Sequence, residues 1–182
     1  AAAAGAEAAI PDAEYAAAGA QVVTAAKAVA AADIVLSVQA PDPKLLKGAS
    51  AGAWIVGTLA PLAERDRIEA YAKAGFEALA MEFMPRITRA QSMDVLSSQS
   101  NLAGYLAVIA SANAYGRAFP MMMTAAGTVS AARVFVMGVG VAGLQAIATA
   151  RRLGAQVSAT AARSATKEQI LSLGAKTGLV EA

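Results

Sequence analysis

Arg133-Val-Phe-Val-Met-Gly-Val-Gly-Val-Ala-Gly-Leu-Gln-Ala-Ile-Ala-Thr-Ala150 decides the reading of this 182-residue chain. A short apolar run, Arg133 to Met137, predicts a strand. It leads without a break into Gly138-Val-Gly140-Val-Ala-Gly143, and a helical pattern follows from Val141 to Leu153. G-x-G-x-x-G is a weak pattern alone, but between a strand and a helix it is the dinucleotide-binding fingerprint. Gly138 allows the tight turn, Gly140 leaves room for a pyrophosphate against the backbone, and Gly143 lets the helix pack close to the strand. The helix start then offers amide N–H groups and the positive end of its dipole to the phosphates. A glycine-rich turn in a non-binding α/β domain is the bland alternative.

The pattern continues outward as Gln156–Thr160 (strand), Thr166–Leu173 (helix, stopped by Gly174) and a third strand near the end. The fingerprint also wants an acid about 20 residues on, at the end of the second strand, for the ribose hydroxyls. Ala161 stands there, and Arg163 lies two residues beyond. An Arg in place of an acid points toward a 2′-phosphate, so the residues alone leave the choice between NAD and NADP open. Arg163 as a solvated surface charge is the other reading.

Toward the N-terminus the same alternation holds. A helix opens at Pro11-Asp12 and ends at Gly19, Ala20–Thr24 reads as a strand, and a helix runs to about Ala31. Asp33–Val38 reads as a strand covered on both faces. Trp54–Val56 is the next strand. Leu62–Lys73 is an amphipathic helix with Gly75 at its C-terminus, and Phe76–Phe83 is a strand. Pro85–Asp94 is a polar loop. A long helix follows from about Ser98 to Ala118, with Ala103, Gly104, Ala107, Ala110 and Ala112 permitting close packing, and Pro120 ends it. Strands alternating with helices imply a parallel sheet. The expected fold class is therefore α/β: two Rossmann-like open parallel-sheet domains joined by a long helix. Residues 1–94 form the first domain, with its N-terminal strand missing. Residues 95–119 are the connecting helix. Residues 120–182 are the first half of a second domain. Both domains read as incomplete.

Composition narrows the function. There is no Cys and no His, which excludes disulfides, thiolate metal sites, Ser-His or Cys-His catalytic pairs and imidazole acid–base steps. The net charge of +2 carries no basic stripe of a nucleic-acid binder. The N-terminal alanine run lacks the basic leader and Leu-rich core of a secretory signal. The uncharged run between Asp94 and Arg117 holds too many Ser, Asn and Gln for a membrane span and predicts a buried helix. Met121-Met-Met123 is read as core or interdomain packing rather than a soft-metal site, because three adjacent residues converge poorly on one ion. More than half of the first thirty residues are alanine. Low-complexity sequence and alanine standing in for unidentified side chains are both open.

Two stretches carry a resemblance. They are Met84-Pro-Arg-Ile-Thr-Arg-Ala-Gln-Ser-Met-Asp-Val-Leu-Ser-Ser-Gln-Ser-Asn-Leu-Ala-Gly-Tyr105, and Arg117-Ala-Phe-Pro-Met-Met-Met-Thr-Ala-Ala-Gly-Thr128 continuing into the glycine loop. Both resemble the NAD(H)-binding component of proton-translocating transhydrogenases. The resemblance implies that Arg86 and Asp94 pair with each other and hold the nicotinamide amide region. It implies that Gln91 reaches toward a second nucleotide, and that Ser97 is a further nicotinamide-side contact. Val141 and Ala142 would line the dinucleotide within the glycine loop. The family's ribose-binding Asp falls on Ala161, a departure. The implied cofactors are NAD(H) here and NADP(H) on a partner domain. The implied partners are that NADP(H)-binding domain, a membrane-spanning proton-channel domain and a second copy of this component. The implied place is peripheral, on the cytoplasmic face of a bacterial inner membrane or the matrix side in a mitochondrion, without a transmembrane segment in this chain. No metal and no nucleic acid are expected. An alanine dehydrogenase-like NAD-dependent oxidoreductase is the nearest alternative; that family uses a Lys and a His. A non-catalytic dinucleotide-sensing regulatory domain is the alternative of another class.

Overall fold

The computed structural model describes residues 1–160 and 166–178. It divides into two compact units, Ala1–Asp94 and Val95–Ala182. Each is built on a small parallel sheet, so the α/β reading holds.

In the first unit, α1 (Asp12–Ala17) and α2 (Ala25–Val29) precede β1 (Ile34–Gln39), β2 (Trp54–Thr58), α3 (Arg65–Lys73) and β3 (Glu77–Ala80). The three strands pair in the order β1-β2-β3, all parallel. The register of β1 on β2 shifts between Leu36 and Gln39. There Gly57 lies against Ser37 so closely that a Cβ would overlap the Ser37 carbonyl. Leu46, Ile55, Leu59 and Tyr71 are fully buried and form the core, with Val29, Val35, Ile68 and Phe76 packed around it. Burying such a side chain stabilises by about 1.5–3 kcal/mol, so α3 is held mainly through Tyr71 and Ile68. The surface pairs Arg65–Glu69 and Glu64–Arg67 on and beside α3 are solvent-exposed and add little.

Three expectations need correction in this unit. Ala20–Thr24 is not a strand: among the described residues its only ladder-like tie is one bond from the Ala2 amide to the Val23 carbonyl, and an extended segment without a paired neighbour is no strand. The third strand stops at Ala80, because Met81–Phe83 turns into a 3-10 helix. β1 is not covered on both faces: Val35 packs into the core while Leu36 and Val38 are 76% and 82% exposed. Side chains alternate across a strand, and only one face of β1 meets covering side chains.

The second unit opens with α4 (Val95–Tyr115), then β4 (Met122–Thr124), β5 (Gly127–Val129), β6 (Arg133–Met137), α5 (Val141–Arg152), β7 (Gln156–Thr160), α6 (Lys167–Ser172) and β8 (Lys176–Gly178). β6, β7 and β8 pair in that order, all parallel. α4 packs on α5, but it is not the buried helix expected, because only Gly104 and Val108 of it are buried. The core joins Val108 and Phe119 to Ile147 and Ala150 of α5, Val157 and Ala159 of β7, and Ile170 of α6. α4 ends at Gly116, whose φ is +68°, and not at Pro120; glycine reverses the chain there before the proline can. Tyr115 meets Phe119 edge to face, with ring centroids 5.9 Å apart.

Of the two packing readings of the methionines, core packing needs correction. β4 and β5 form an antiparallel hairpin, and Met121, Met122 and Met123 are 61%, 47% and 76% exposed. They do not fill a core, because both faces of this two-stranded hairpin lie open. Among the described residues no helix is long and apolar enough to cross a membrane.

Candidate functional site

The glycine turn has the geometry its spacing calls for. β6 ends at Met137, and Gly138 turns the chain with φ +90°, open to glycine and costly to other residues. The Gly138 amide donates to the Thr160 carbonyl at 3.0 Å, which sets the turn beside the C-terminal end of β7. Gly140 caps α5 with extended backbone, and its carbonyl accepts the first helical bond, from Leu144, at 2.9 Å. The amides of Val141, Ala142 and Gly143 therefore have no carbonyl within the helix to bond. A Cβ added at Gly138 or Gly140 would meet nothing within 4 Å, whereas one at Gly143 would overlap the Gly138 carbonyl. Gly140 thus faces open space at the start of α5, and Gly143 serves packing. The residues fit a pyrophosphate. Arg151 and Arg152 in the last turn of α5 complement the other end of the helix dipole.

α4 supports this turn from beneath. A Cβ at Gly104 would overlap the Ala142 carbonyl, so the glycine lets α4 lie directly against the first turn of α5. Val141 is 41% exposed and Ala142 half-buried, at the start of α5. Ala161 and Arg163 lie outside the described residues.

A hollow of about 500 Å³ runs along α5 and is bordered by Asn101 of α4 and by Gln169 and Ser172 of α6. Of the fingerprint residues only Val141 lines it, so it lies beside the glycine turn. A second, of about 460 Å³, lies at Arg133, Gln156 and Lys176, where the strands begin. Ligands of open α/β sheets bind at the other end, where strands finish.

In the first unit, the polar stretch expected as an open loop winds into a 3-10 turn, Thr88–Met93, anchored by buried Ala90. The Ala90 amide donates to the Ile87 carbonyl at 2.9 Å, and the Asp94 amide to the Gln91 carbonyl at 3.2 Å. This gathers Arg86, Gln91 and Asp94 into one compact segment. Arg86 and Gln91 are exposed, and Asp94 is half-buried. Ser97, half-buried in the first turn of α4, belongs to the second unit. Neither Asp94 nor Ser97 is without a partner.

Sequence reading passed over Glu82. Its carboxylate accepts from the Leu59 amide at 3.1 Å and the Ala60 amide at 2.6 Å. Burial works against its charge, but the amides of Ala60, of Glu82 itself and of Leu59 outweigh it and hold the carboxyl below its ordinary pKa. Tyr71 makes a second tie of this kind, donating its hydroxyl to the Pro41 carbonyl. Burial raises the Tyr71 pKa; Arg67 opposes this and Asp42 adds to it. The one available signal for Glu82 was an acid at the end of an apolar strand.

Residues 2–103 match the description "Alanine dehydrogenase/PNT, N-terminal domain", and residues 107–181 match "Alanine dehydrogenase/PNT, C-terminal domain". The chain belongs to the alanine dehydrogenase/PNT family. Within that family it is 57% identical to an NAD(P) transhydrogenase subunit alpha polypeptide of Rhodospirillum rubrum, over 95% of this chain and 47% of that protein. The solved transhydrogenase of Sinorhizobium meliloti superposes with a TM-score of 0.89 at 61% identity, covering 93% of this chain and 51% of that one. An L-alanine dehydrogenase superposes with a TM-score of 0.80 at 25% identity, covering 99% of this chain and 51% of that one. The chain spans about half the length, or less, of the relatives it matches. Among the described residues of this family member, no group of three or more His, Cys, Asp or Glu is placed to hold a metal ion.

Proposed function

We propose that this chain is a portion of the NAD(H)-binding component of a proton-translocating transhydrogenase. Hydride passes directly between NADH held here and NADP⁺ held on a partner domain, and the transfer is coupled to proton movement across a membrane. The observation that carries the reading is the glycine turn itself, which leaves open space at Gly140 beside the first amides of α5.

NAD(H), when bound, supplies the hydride. The backbone at Gly138, Gly140, Val141, Ala142 and Gly143 holds the pyrophosphate. Arg86, Asp94 and Ser97 fix the nicotinamide amide, and Gln91 reaches toward the second nucleotide. Ala161 and Arg163 stand at the ribose. Direct transfer needs no general base; it needs two rings held close and water kept out. A sequence without His or Cys suits that chemistry.

The alternatives are weaker on specific grounds. An alanine dehydrogenase-like reaction has the fold in its favour, but the identity is far lower and no His is present in this sequence. A dinucleotide-sensing regulatory domain accounts for the glycine turn and gives the Arg86–Asp94 segment no task.

The proposed partners are the NADP(H)-binding domain, a membrane-spanning proton-channel domain and a second copy of this component. The exposed Met121–Met123 hairpin offers apolar surface of the kind a subunit interface covers. The proposed place is peripheral, on the cytoplasmic face of a bacterial inner membrane or the matrix side in a mitochondrion.

Fluorescence titration of the intact protein with NADH and, separately, NADPH tests the cofactor assignment. Tight preference for NADH is expected. Preference for NADPH would make Ala161 and Arg163 specificity determinants and overturn it.

A further inference from the structure

β2 ends on an unusual turn. Leu59 is fully buried, and Ala60 follows with φ +48°, a left-handed conformation that an L residue keeps only when its surroundings impose it. The imposition is visible on both sides of the residue. The Ala60 carbonyl accepts from the amides of Ala63 at 3.0 Å and Glu64 at 2.8 Å, closing a turn that ends at Glu64, the residue before α3. The amides of Leu59 and Ala60 both point at one carboxylate, that of Glu82.

Glu82 stands in the single 3-10 turn, Met81–Phe83, that directly follows β3. β3 is in register with β2, Gly57 opposite Ala80, so the carboxylate ties together the C-terminal ends of two neighbouring strands. The Met84 amide closes this turn on the Met81 carbonyl at 3.2 Å, and Arg86 follows two residues later. The tie therefore sits at the root of the segment that holds Arg86, Gln91 and Asp94.

We propose that Glu82 is a positioning residue: its carboxylate clamps the Leu59–Ala60 turn and thereby fixes the Arg86–Asp94 segment in place. This rests on the reading that the segment serves hydride transfer. An ionised carboxylate has acceptor capacity for both amides. An amide side chain offers one acceptor and one NH₂, and the NH₂ would face an N–H, so Gln keeps the size and loses half the clamp. Transfer between held rings depends on reacting atoms lying roughly 3–3.5 Å apart, so a loosened segment slows the step with little effect on pyrophosphate binding.

The test uses the intact protein with Glu82→Gln, Glu82→Asp and, as a control, Gln91→Asn. Trypsin reports the segment through cleavage after Arg86 and Arg89, with cleavage after Lys73 as the internal reference. Glu82→Gln is expected to speed cleavage after Arg86 and Arg89 several-fold and leave Lys73 unchanged. It is also expected to lower kcat for hydride transfer several-fold with NADH affinity retained. Glu82→Asp is expected to restore some of both. Gln91→Asn is expected to lower kcat without changing cleavage. Hydrogen exchange on the unsubstituted protein adds a measurement that needs no variant: the Leu59 and Ala60 amides should exchange slowly although they lie past the end of β2.

Unchanged cleavage in Glu82→Gln, equal acceleration after Lys73, or fast exchange at Leu59 and Ala60 would each overturn the clamp. Faster cleavage with unchanged kcat would overturn the positioning role while leaving the clamp. Unchanged kcat in Gln91→Asn would overturn the functional reading of the segment and leave the proteolysis result standing by itself.

Discussion

Gly143 of α5 packs so closely on Gly138 that a methyl group at Gly143 would overlap the Gly138 carbonyl oxygen, while a methyl group at Gly140 would meet nothing within 4 Å. Two glycines of one motif thus do different work, and substitution separates them. Gly143→Ala is expected to destabilise by about 1–3 kcal/mol, the usual cost of overpacking, and to weaken NADH binding by disturbing the turn. Gly140→Ala is expected to change stability by about 1 kcal/mol or less, as an N-cap substitution does, yet to weaken NADH binding strongly because the methyl takes up space proposed for the pyrophosphate. Urea denaturation beside NADH titration checks both; equal stability losses in the two variants would defeat the distinction.

Gly104 lies in the middle of α4, where alanine would ordinarily be the better helix former by about 1 kcal/mol. Its missing Cβ is what admits the Ala142 carbonyl. The carbonyl is backbone and cannot move aside cheaply, so overlap outweighs propensity. Gly104→Ala is expected to destabilise by roughly 1–3 kcal/mol and to lower NADH affinity, because Ala142 lies in the proposed cofactor turn. A gain in Tm would show that α4 can slide along α5.

Asp94→Asn keeps the shape of the side chain and removes its charge. If Asp94 orients the cofactor amide, hydride transfer is expected to fall on the order of 10²-fold, the scale of a small misplacement at a reacting centre, with NADH binding largely retained. Single-turnover transfer and equilibrium titration separate the two. Parallel loss of both would instead make Asp94 a residue of the binding step.

Glu82 makes stability depend on pH. Its folded pKa lies below the ordinary value of 4.5. The clamp's contribution is therefore fully present above that value and is lost as pH falls through the lower, folded pKa. The stability difference between the unsubstituted protein and Glu82→Gln should be constant from neutral pH down to about 5 and should shrink below 4.5. Urea melts across that range check it; a difference that grows on acidification would mean the carboxylate is not held ionised.

The sequence by itself determined the α/β class and the glycine turn. Both are local: Arg133–Met137 is a short apolar run leading straight into the glycines, and the spacing of Gly138, Gly140 and Gly143 meets the needs of one turn between that strand and one helix. The Arg86–Asp94 segment was visible only through its resemblance to a family, since no local period marks it. Tertiary structure decided the rest. Ala20–Thr24 has strand-forming residues and, among the described residues, no paired strand. Met121–Met123, read as core or interdomain packing, lie exposed at and beside a hairpin. α4 stops at Gly116 because a left-handed glycine turns the chain there, a choice that Pro120 concealed. Glu82 and Ala60 are 22 residues apart, and neither carries a local sign of the other. Local chemistry reads directly from neighbouring residues. Which strand finds a partner, and which carboxylate meets which amide, is settled only when distant stretches of the chain are packed together.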